Sequence, residues 1–375
     1  MISQLIPRAC PQCLRRSRLL AHLAPYIEKI ATGAPGRRSP ELLRLDNEEL
    51  AEATAPKVGE QILAGVAAVP EDRLYGDLEE AGCWACCRHD PLFPPGLGDA
   101  ADAPWALIGR GEPGLLARLG PDGLVTVVGA RRASTYGREA ARELGRELAA
   151  TGLGVVSGLA FGIDACAHRG ALEAGFTVAV LGCGADVVYP AAHRSLWRRI
   201  GESGLVLSEL PPGSGAWRWA FPARNRIMAA LSGMTVVVEA AERSGSLITA
   251  DLAADLGRDL GAVPGPIGSR LSAGPNNLLA GGACLVRGAQ DVLDAMLGPG
   301  ARRVDREGPL LEPPQLAVLE ALEMGADTCD AVAADLGLSG GEAATTLAAL
   351  ESLGYVNCSL VGVYSRTTLK PPSDI

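Results

Sequence analysis

Gly129-Ala130-Arg131-Arg132 stands where an apolar run, Leu124 to Val128, gives way to a Ser134-Thr135 pair and a helical pattern from Arg138 to Ala150. Strand, tight loop and helix N-terminus in that order suit an anion, because the first amides of a helix lack partners and its dipole is positive there. The two guanidinium groups add planar, bidentate phosphate contacts at the same mouth. No glycine lies between Gly129 and Gly137, so the GxGxxG fingerprint is missing and a dinucleotide cofactor is disfavoured.

A second group is Trp217 to Ser232, WRWAFPARNRIMAALS. Trp217, Trp219 and Phe221 precede Arg224, Asn225 and Arg226, and rings interleaved with guanidinium groups suit a single-stranded nucleic acid, bases stacking while phosphates are neutralised. The same residues serve equally well as a hydrophobic staple ahead of an amphipathic helix. Ser244-Gly245-Ser246 opens another helix, where it can cap the end or hold a phosphate. Asp164 and His168 share a helix face, and a capping aspartate with a hydrogen-bonded histidine is preferred to an acid/base pair. Cys183 is read as a small packed residue. Cys10 and Cys13 form one CxxC and Cys83 and Cys86 a second, with Cys87 and His89 adjacent. Two CxxC pairs can build a structural zinc site, with Cys10, Cys13, Cys83 and Cys86 as its candidates, but about 70 residues between the pairs exceed ordinary zinc-finger spacing, so free thiols are expected and no metal is assigned.

These groups must be positioned by an alternation of strands and helices. Trp105 to Ile108 reads as the first strand, followed by strands at 124–129, 153–157, 176–182, 204–208, 234–239, 260–263 and 283–286. Short apolar runs separated by helices imply an α/β fold with a mostly parallel sheet covered on both faces, whose ligands sit at the carboxyl ends of strands. Ser157 and Gly158, Gly182 and Gly184, and Gly265 fall at such ends and outline a groove. Helical periodicity in pieces marks residues 1–90 as a small helical domain; 91–297 form the Rossmann-like domain, 298–309 a linker and 310–375 a last domain.

The 375 residues are 48% hydrophobic with net charge -9, which suits packed domains and argues against coating nucleic acid through bulk charge. Any nucleic-acid site is therefore a local patch. No apolar run approaches the roughly 18 residues of a membrane span, and the first residues lack the core of a signal peptide, so a cytoplasmic protein is expected. Ten scattered cysteines do not resemble a secreted disulfide framework.

The order VVGARxxxxYG (Val127 to Gly137), SGLAFGIDACAHRGAL (Ser157 to Leu172), TVAVLGCG (Thr177 to Gly184), SEL at Ser208, FPARNRIMAALS (Phe221 to Ser232), VVEAAERSGSLITA (Val237 to Ala250) and GPNNLLAGGA (Gly274 to Ala283) resembles the DNA-processing protein DprA (Smf) family over about 170 residues. The resemblance implies an extended Rossmann-like domain, sequence-independent binding of single-stranded DNA, dimerisation, and loading of the RecA recombinase onto incoming DNA in natural transformation, with no cofactor. It places phosphates near Gly129, Ala130 and Arg131 and near Arg224 and Asn225, with Phe221 stacked on a base. Ser157, Gly158, Gly182, Gly184, Arg226, Ser244, Gly245 and Ser246 complete the expected DNA-binding set. The family's usual Gly-Ser-Arg is Gly129-Ala130-Arg131 here, which removes a hydroxyl.

The tail reads as helix, turn, helix and short hairpin, similar to the winged-helix domain of many members. Its presumed recognition helix, Gly340 to Leu353, carries Glu342 and Glu351 and no basic residue, which favours a protein-contact or structural role. The rival enzyme class is the nucleotide-phosphate hydrolases related to lysine decarboxylase-like proteins. Their PGGxGTxxE motif, source of the catalytic glutamate, is replaced here by VVEAAERSGSLITA, so no enzymatic activity is expected. An NAD-dependent oxidoreductase lacks its glycine fingerprint.

Overall fold

A computed structural model describes residues 7–33, 39–98, 100–300, 308–359, 362–367, 369 and 371. The chain forms two compact units, Met1–Arg303 and Val304–Ile375. Most of the expected linker, residues 301–307, lies outside the described residues.

The first unit opens with helices α1 (Pro11–Gly33), α2 (Ser39–Leu43), α3 (Asn47–Thr54), α4 (Gly59–Ala67) and α5 (Glu71–Glu80). Strand β1 (Trp84–Cys87), helix α6 (Pro95–Gly98) and strand β2 (Ala106–Gly111) follow. The alternation then runs β3 (Leu124–Val128), α7 (Thr135–Ala150), β4 (Gly154–Ser157), α8 (Ile163–Ala174), β5 (Thr177–Val180), α9 (Arg194–Ser203), β6 (Leu205–Ser208) and α10 (Ala220–Leu231). It closes with β7 (Met234–Val237), α11 (Gly245–Asp255), β8 (Asp259–Ala262), α12 (Ala273–Ala280), β9 (Cys284–Leu285) and α13 (Ala289–Leu297).

The strands form one nine-stranded sheet in the order β1-β2-β6-β5-β4-β3-β7-β8-β9. The seven strands from β6 to β9 are parallel, whereas β1 pairs antiparallel with β2 and β2 antiparallel with β6. This is an extended α/β sheet with helices on both faces. The middle strand of the parallel seven, β3, is buried at all five positions, as a parallel strand sandwiched between helices must be. Thr126 is tolerated inside that run because its Oγ1 reaches Met228 O at 2.9 Å and Ser232 Oγ at 2.8 Å.

Strand parity divides the core. Leu107, Val178, Val180, Leu205 and Leu207 face α10, while Ala106, Ile108, Ala179 and Val206 face α8, α9, α1 and α5. The helical N-terminal segment therefore shares its core with the sheet. Leu14, Leu74 and Leu78 cluster with strand residues, and Leu19, Leu23 and Leu50 cluster with Leu210, Trp219 and Ala223.

Strand β1 corrects the expectation that Trp105 to Ile108 comes first. Period two also separates the cysteines: Cys86 enters the core with Leu97 and Leu107, while Cys87 turns to the opposite face with Cys13. The CxxC pair Cys83–Cys86 suggested by spacing is thus split, Cys83 Sγ contacting Ala81 O instead.

The second unit contains α14 (Pro313–Glu323), α15 (Cys329–Leu336), α16 (Gly340–Ser352) and an antiparallel pair, β10 (Val356–Cys358) with β11 (Tyr364–Arg366). Leu319, Val332, Leu347, Leu350 and Tyr355 form its separate core.

Candidate nucleic-acid interface

Strands β3, β4, β5 and β6 are laid down outward in one direction, after which α10 returns the chain to the other flank of β3 to begin β7. The chain connections leaving β3 and β7 therefore diverge, and the crevice beyond their carboxyl ends is where an open α/β sheet receives a ligand. A cavity of about 1010 Å³ opens there. Its floor is Val128 to Arg131 and its walls come from α10, residues 241–246 and Arg270.

The floor is held firmly. Ala130 N–H donates to Glu239 O at 2.6 Å, and Ile163 N–H donates to Ala130 O at 3.2 Å. A Cβ on Gly129 would lie 2.6 Å from Ile163 Cγ1 and 2.8 Å from Glu239 O, so only glycine lets the loop lie this close to its neighbours. Glu239 also corrects the expectation of an open anion site at the start of α7. Its carboxylate accepts from Ser134 N–H at 2.8 Å and from Ser134 Oγ at 2.5 Å, and Ser134 Oγ accepts from Gly137 N–H at 3.0 Å. The helix start is supplied with a carboxylate by the protein itself. At this loop the exposed Arg131 side chain lines the cavity, whereas Arg132, although exposed, does not.

Helix α10 turns Phe221, Arg224, Asn225 and Met228 toward the cavity, positions i, i+3, i+4 and i+7 of one face. Phe221 lies 5.3 Å from the Tyr189 ring, and Arg131 Cζ stands 5.7 Å from the Phe221 centroid, within cation–π range. Arg224 is only 7% exposed. It donates to Val180 O and faces Asp164 at 3.9 Å; burial lowers its pKa, opposed by that carboxylate. Asn225 donates to Gly245 O at 3.4 Å and so anchors the start of α11, where Ser244 Oγ caps the helix and lies 2.7 Å from Ser246 Oγ.

Arg226 is one of the expected site residues that the fold withdraws from the cavity. At 2% exposure it donates to both oxygens of Glu209 at 2.7 and 2.8 Å and lies 3.7 Å from Asp102, away from the cavity. Trp219 is buried and Trp217 half-buried against α1 to α4, as a staple rather than a stacking platform.

A smaller cavity of about 80 Å³ adjoins, sharing Arg131, Tyr189, Phe221 and Arg224 and including Gly158 and Gly182. Gly158 is required because a Cβ would overlap the Arg224 guanidinium. Asp164 Oδ2 accepts from Gly158 and Ala160 N–H at 3.1 and 3.3 Å, bracketing Leu159, a non-glycine residue held at φ 55°. Burial pushes the Asp164 carboxyl above the usual range, against the pull of Arg224. Asp164 thus fixes a loop rather than capping its helix. Ser157 and Gly184 line neither cavity: Ser157 Oγ donates to Val127 O at 2.6 Å, and Gly184 N–H donates to Ser214 O. Cys183 is packed, as expected, with its thiol pushed up to about 12 by burial.

Three exposed arginines line the large cavity that sequence reasoning missed: Arg218, Arg243 and Arg270. With Arg131 and Arg224 they set five guanidinium groups against two carboxylates, Asp164 and Glu242, in the wall of a chain whose net charge is -9. None of the three forms an ion pair within 4.0 Å among the described residues. Such a crevice focuses positive potential. Arg218 and Arg243 sat inside motifs already noted, but nothing in sequence marks Arg270 as a neighbour of Gly129.

The family model described as DNA recombination-mediator protein A matches residues 84–297. A DNA processing protein DprA of Mycobacterium tuberculosis is 40% identical over 279 residues, spanning 72% of this chain and 68% of its own length. The X-ray structure of DNA processing protein A from Streptococcus pneumoniae superposes with TM-score 0.60 and 33% identity over 76% of this chain and 98% of that one. The Helicobacter pylori DNA processing protein A, studied for its single-stranded DNA binding mode, gives TM-score 0.50 and 31% identity over 54% of this chain and 92% of that one.

Proposed function

Because the chain belongs to the family of DNA recombination-mediator protein A, we propose that its arginine-lined crevice binds single-stranded DNA without regard to sequence. The observation that carries this reading is the placement of five arginines around a switch-point cavity beside the Tyr189–Phe221 ring pair. Guanidinium groups neutralise phosphates whatever the base, and a ring face accepts any base. Phosphates lie along Gly129 to Arg131 and Ser244 to Ser246, with Arg218, Arg243 and Arg270 as outer contacts, and Phe221 stacks on a base. Arg224 and Asn225 support this surface from beneath. Asp164 and Glu239 are already engaged by protein donors, and the crevice is read as a binding site without a chemical step. The family relationship extends the reading to a cytoplasmic homodimer that shelters incoming single strands and loads the RecA recombinase onto them in natural transformation.

Fluorescence anisotropy of a labelled oligonucleotide across a salt series tests the crevice. Single strands are expected to bind more tightly than duplex. Arg131→Ala should flatten the plot of log affinity against log salt by about 0.7, one phosphate on a single strand. Phe221→Ala should weaken binding by about 1–3 kcal/mol with the slope retained. Unchanged binding in both variants would remove the crevice from the reading.

A further inference from the structure

We propose that Cys10, Cys13, Cys87 and His89 bind one zinc ion as a closed structural site that ties the start of α1 to the end of β1. Their ligand atoms all lie within 4.8 Å of one another, although the two pairs are far apart in sequence. His89 Nδ1 stands 3.4 Å from Cys10 Sγ, 3.6 Å from Cys13 Sγ and 4.0 Å from Cys87 Sγ. In a tetrahedral site with Zn–S near 2.3 Å and Zn–N near 2.0–2.1 Å, sulfur and nitrogen are separated by about 3.6 Å. The observed distances bracket that value. The sulfurs are unpaired thiols, and Cys13 and Cys87 are buried.

The surroundings fit a metal-ligating set. Cys10 N–H donates to Cys87 Sγ at 3.4 Å, the kind of amide contact that supports a thiolate ligand. Ala9 N–H donates to Ala85 O at 2.8 Å, and Tyr75 OH donates to Ala9 O at 3.0 Å, so the backbone carrying Cys10 is fixed before any ion arrives. Four protein ligands leave no open position, which makes the site structural rather than catalytic. Binding replaces the ion's waters with three thiolates and one neutral imidazole and releases the three thiol protons to solvent. Cys83 and Cys86 take no part, since β1 directs Cys86 to the opposite face of the sheet.

The test is metal analysis of the full chain, purified under reducing conditions from zinc-supplemented cells, with a parallel preparation from cobalt-supplemented cells. One zinc per chain is expected, and the cobalt protein should show sulfur-to-cobalt charge transfer with tetrahedral d–d bands. Cys87→Ser should abolish the zinc, while Cys83→Ser and Cys86→Ser retain it. Should Cys87→Ser fail to fold, His89→Cys provides the check: it should hold one zinc and strengthen the charge-transfer band by adding a thiolate. Absence of zinc together with absence of the cobalt–thiolate band would overturn the proposal. Equal zinc loss in Cys83→Ser would overturn it as well.

Discussion

Arg224 and Arg226 stand two positions apart on α10 and have opposite fates. Residues i and i+2 of a helix point to different sides, so a single groove cannot receive both. Arg224 falls on the face shared with Phe221 and Met228, and Arg226 falls into the bidentate grip of Glu209. Removing one member of a buried pair strands the other charge, and Arg226→Ala should lower unfolding stability by about 3–5 kcal/mol in urea titration. The fraction that folds should keep the wild-type salt slope for DNA; a stable variant with a flattened slope would return Arg226 to the interface. Gly129, Arg131 and Phe221 were legible in sequence because motif and residue type coincide at them. The engagement of Ser134 by Glu239, more than a hundred residues away, was not, because only strand pairing brings those residues together.

Elements are joined through polar contacts that sequence periodicity does not reveal. His168 on α8 lies 2.7 Å from Thr177 Oγ1 on β5, and that hydroxyl gives its one proton to Val155 O on β4 at 2.6 Å. Thr177 must then accept, so His168 Nδ1 carries the hydrogen, and the buried Nε2 has no hydrogen-bond partner among the described residues. Burial, aided by Arg224, depresses the pKa to about 3. The unfolded chain binds this proton below about pH 6.5 while the folded chain does not, so stability falls with pH through the window down to about 3. Chemical denaturation should show a loss of about 2 kcal/mol from this group between pH 7 and pH 5, and His168→Asn should remove that component. Equal pH slopes in the two proteins would show that His168 titrates normally. The parallel strands were readable as apolar runs punctuated by glycine. Strand β1 was not, since Trp84–Cys87 is short, sits between helices and acquires its meaning only by pairing with β2.

At the scale of the whole molecule, charge is segregated. A chain of net charge -9 gathers five arginines around one crevice of its first unit, while α16 of the second unit carries Glu342 and Glu351 and no basic side chain. The two units have separate cores, and ending the chain at Arg303 should leave oligonucleotide affinity and salt slope unchanged. A flattened slope in the shortened protein would transfer phosphate contacts to the second unit. The expected division at residue 90 does not separate cores, because α1 and α5 pack directly on the sheet. The two margins of that sheet carry a different consequence. Strand β9 is two residues long, and beside β1 the segment around Arg8 forms a parallel bridge to Ala85. A wide sheet with long bare margins is a template for aggregation, growing by adding strands from other copies. Here one margin is two residues long and the other is bridged at Ala85, which shortens the free backbone that a strand from another copy could pair with.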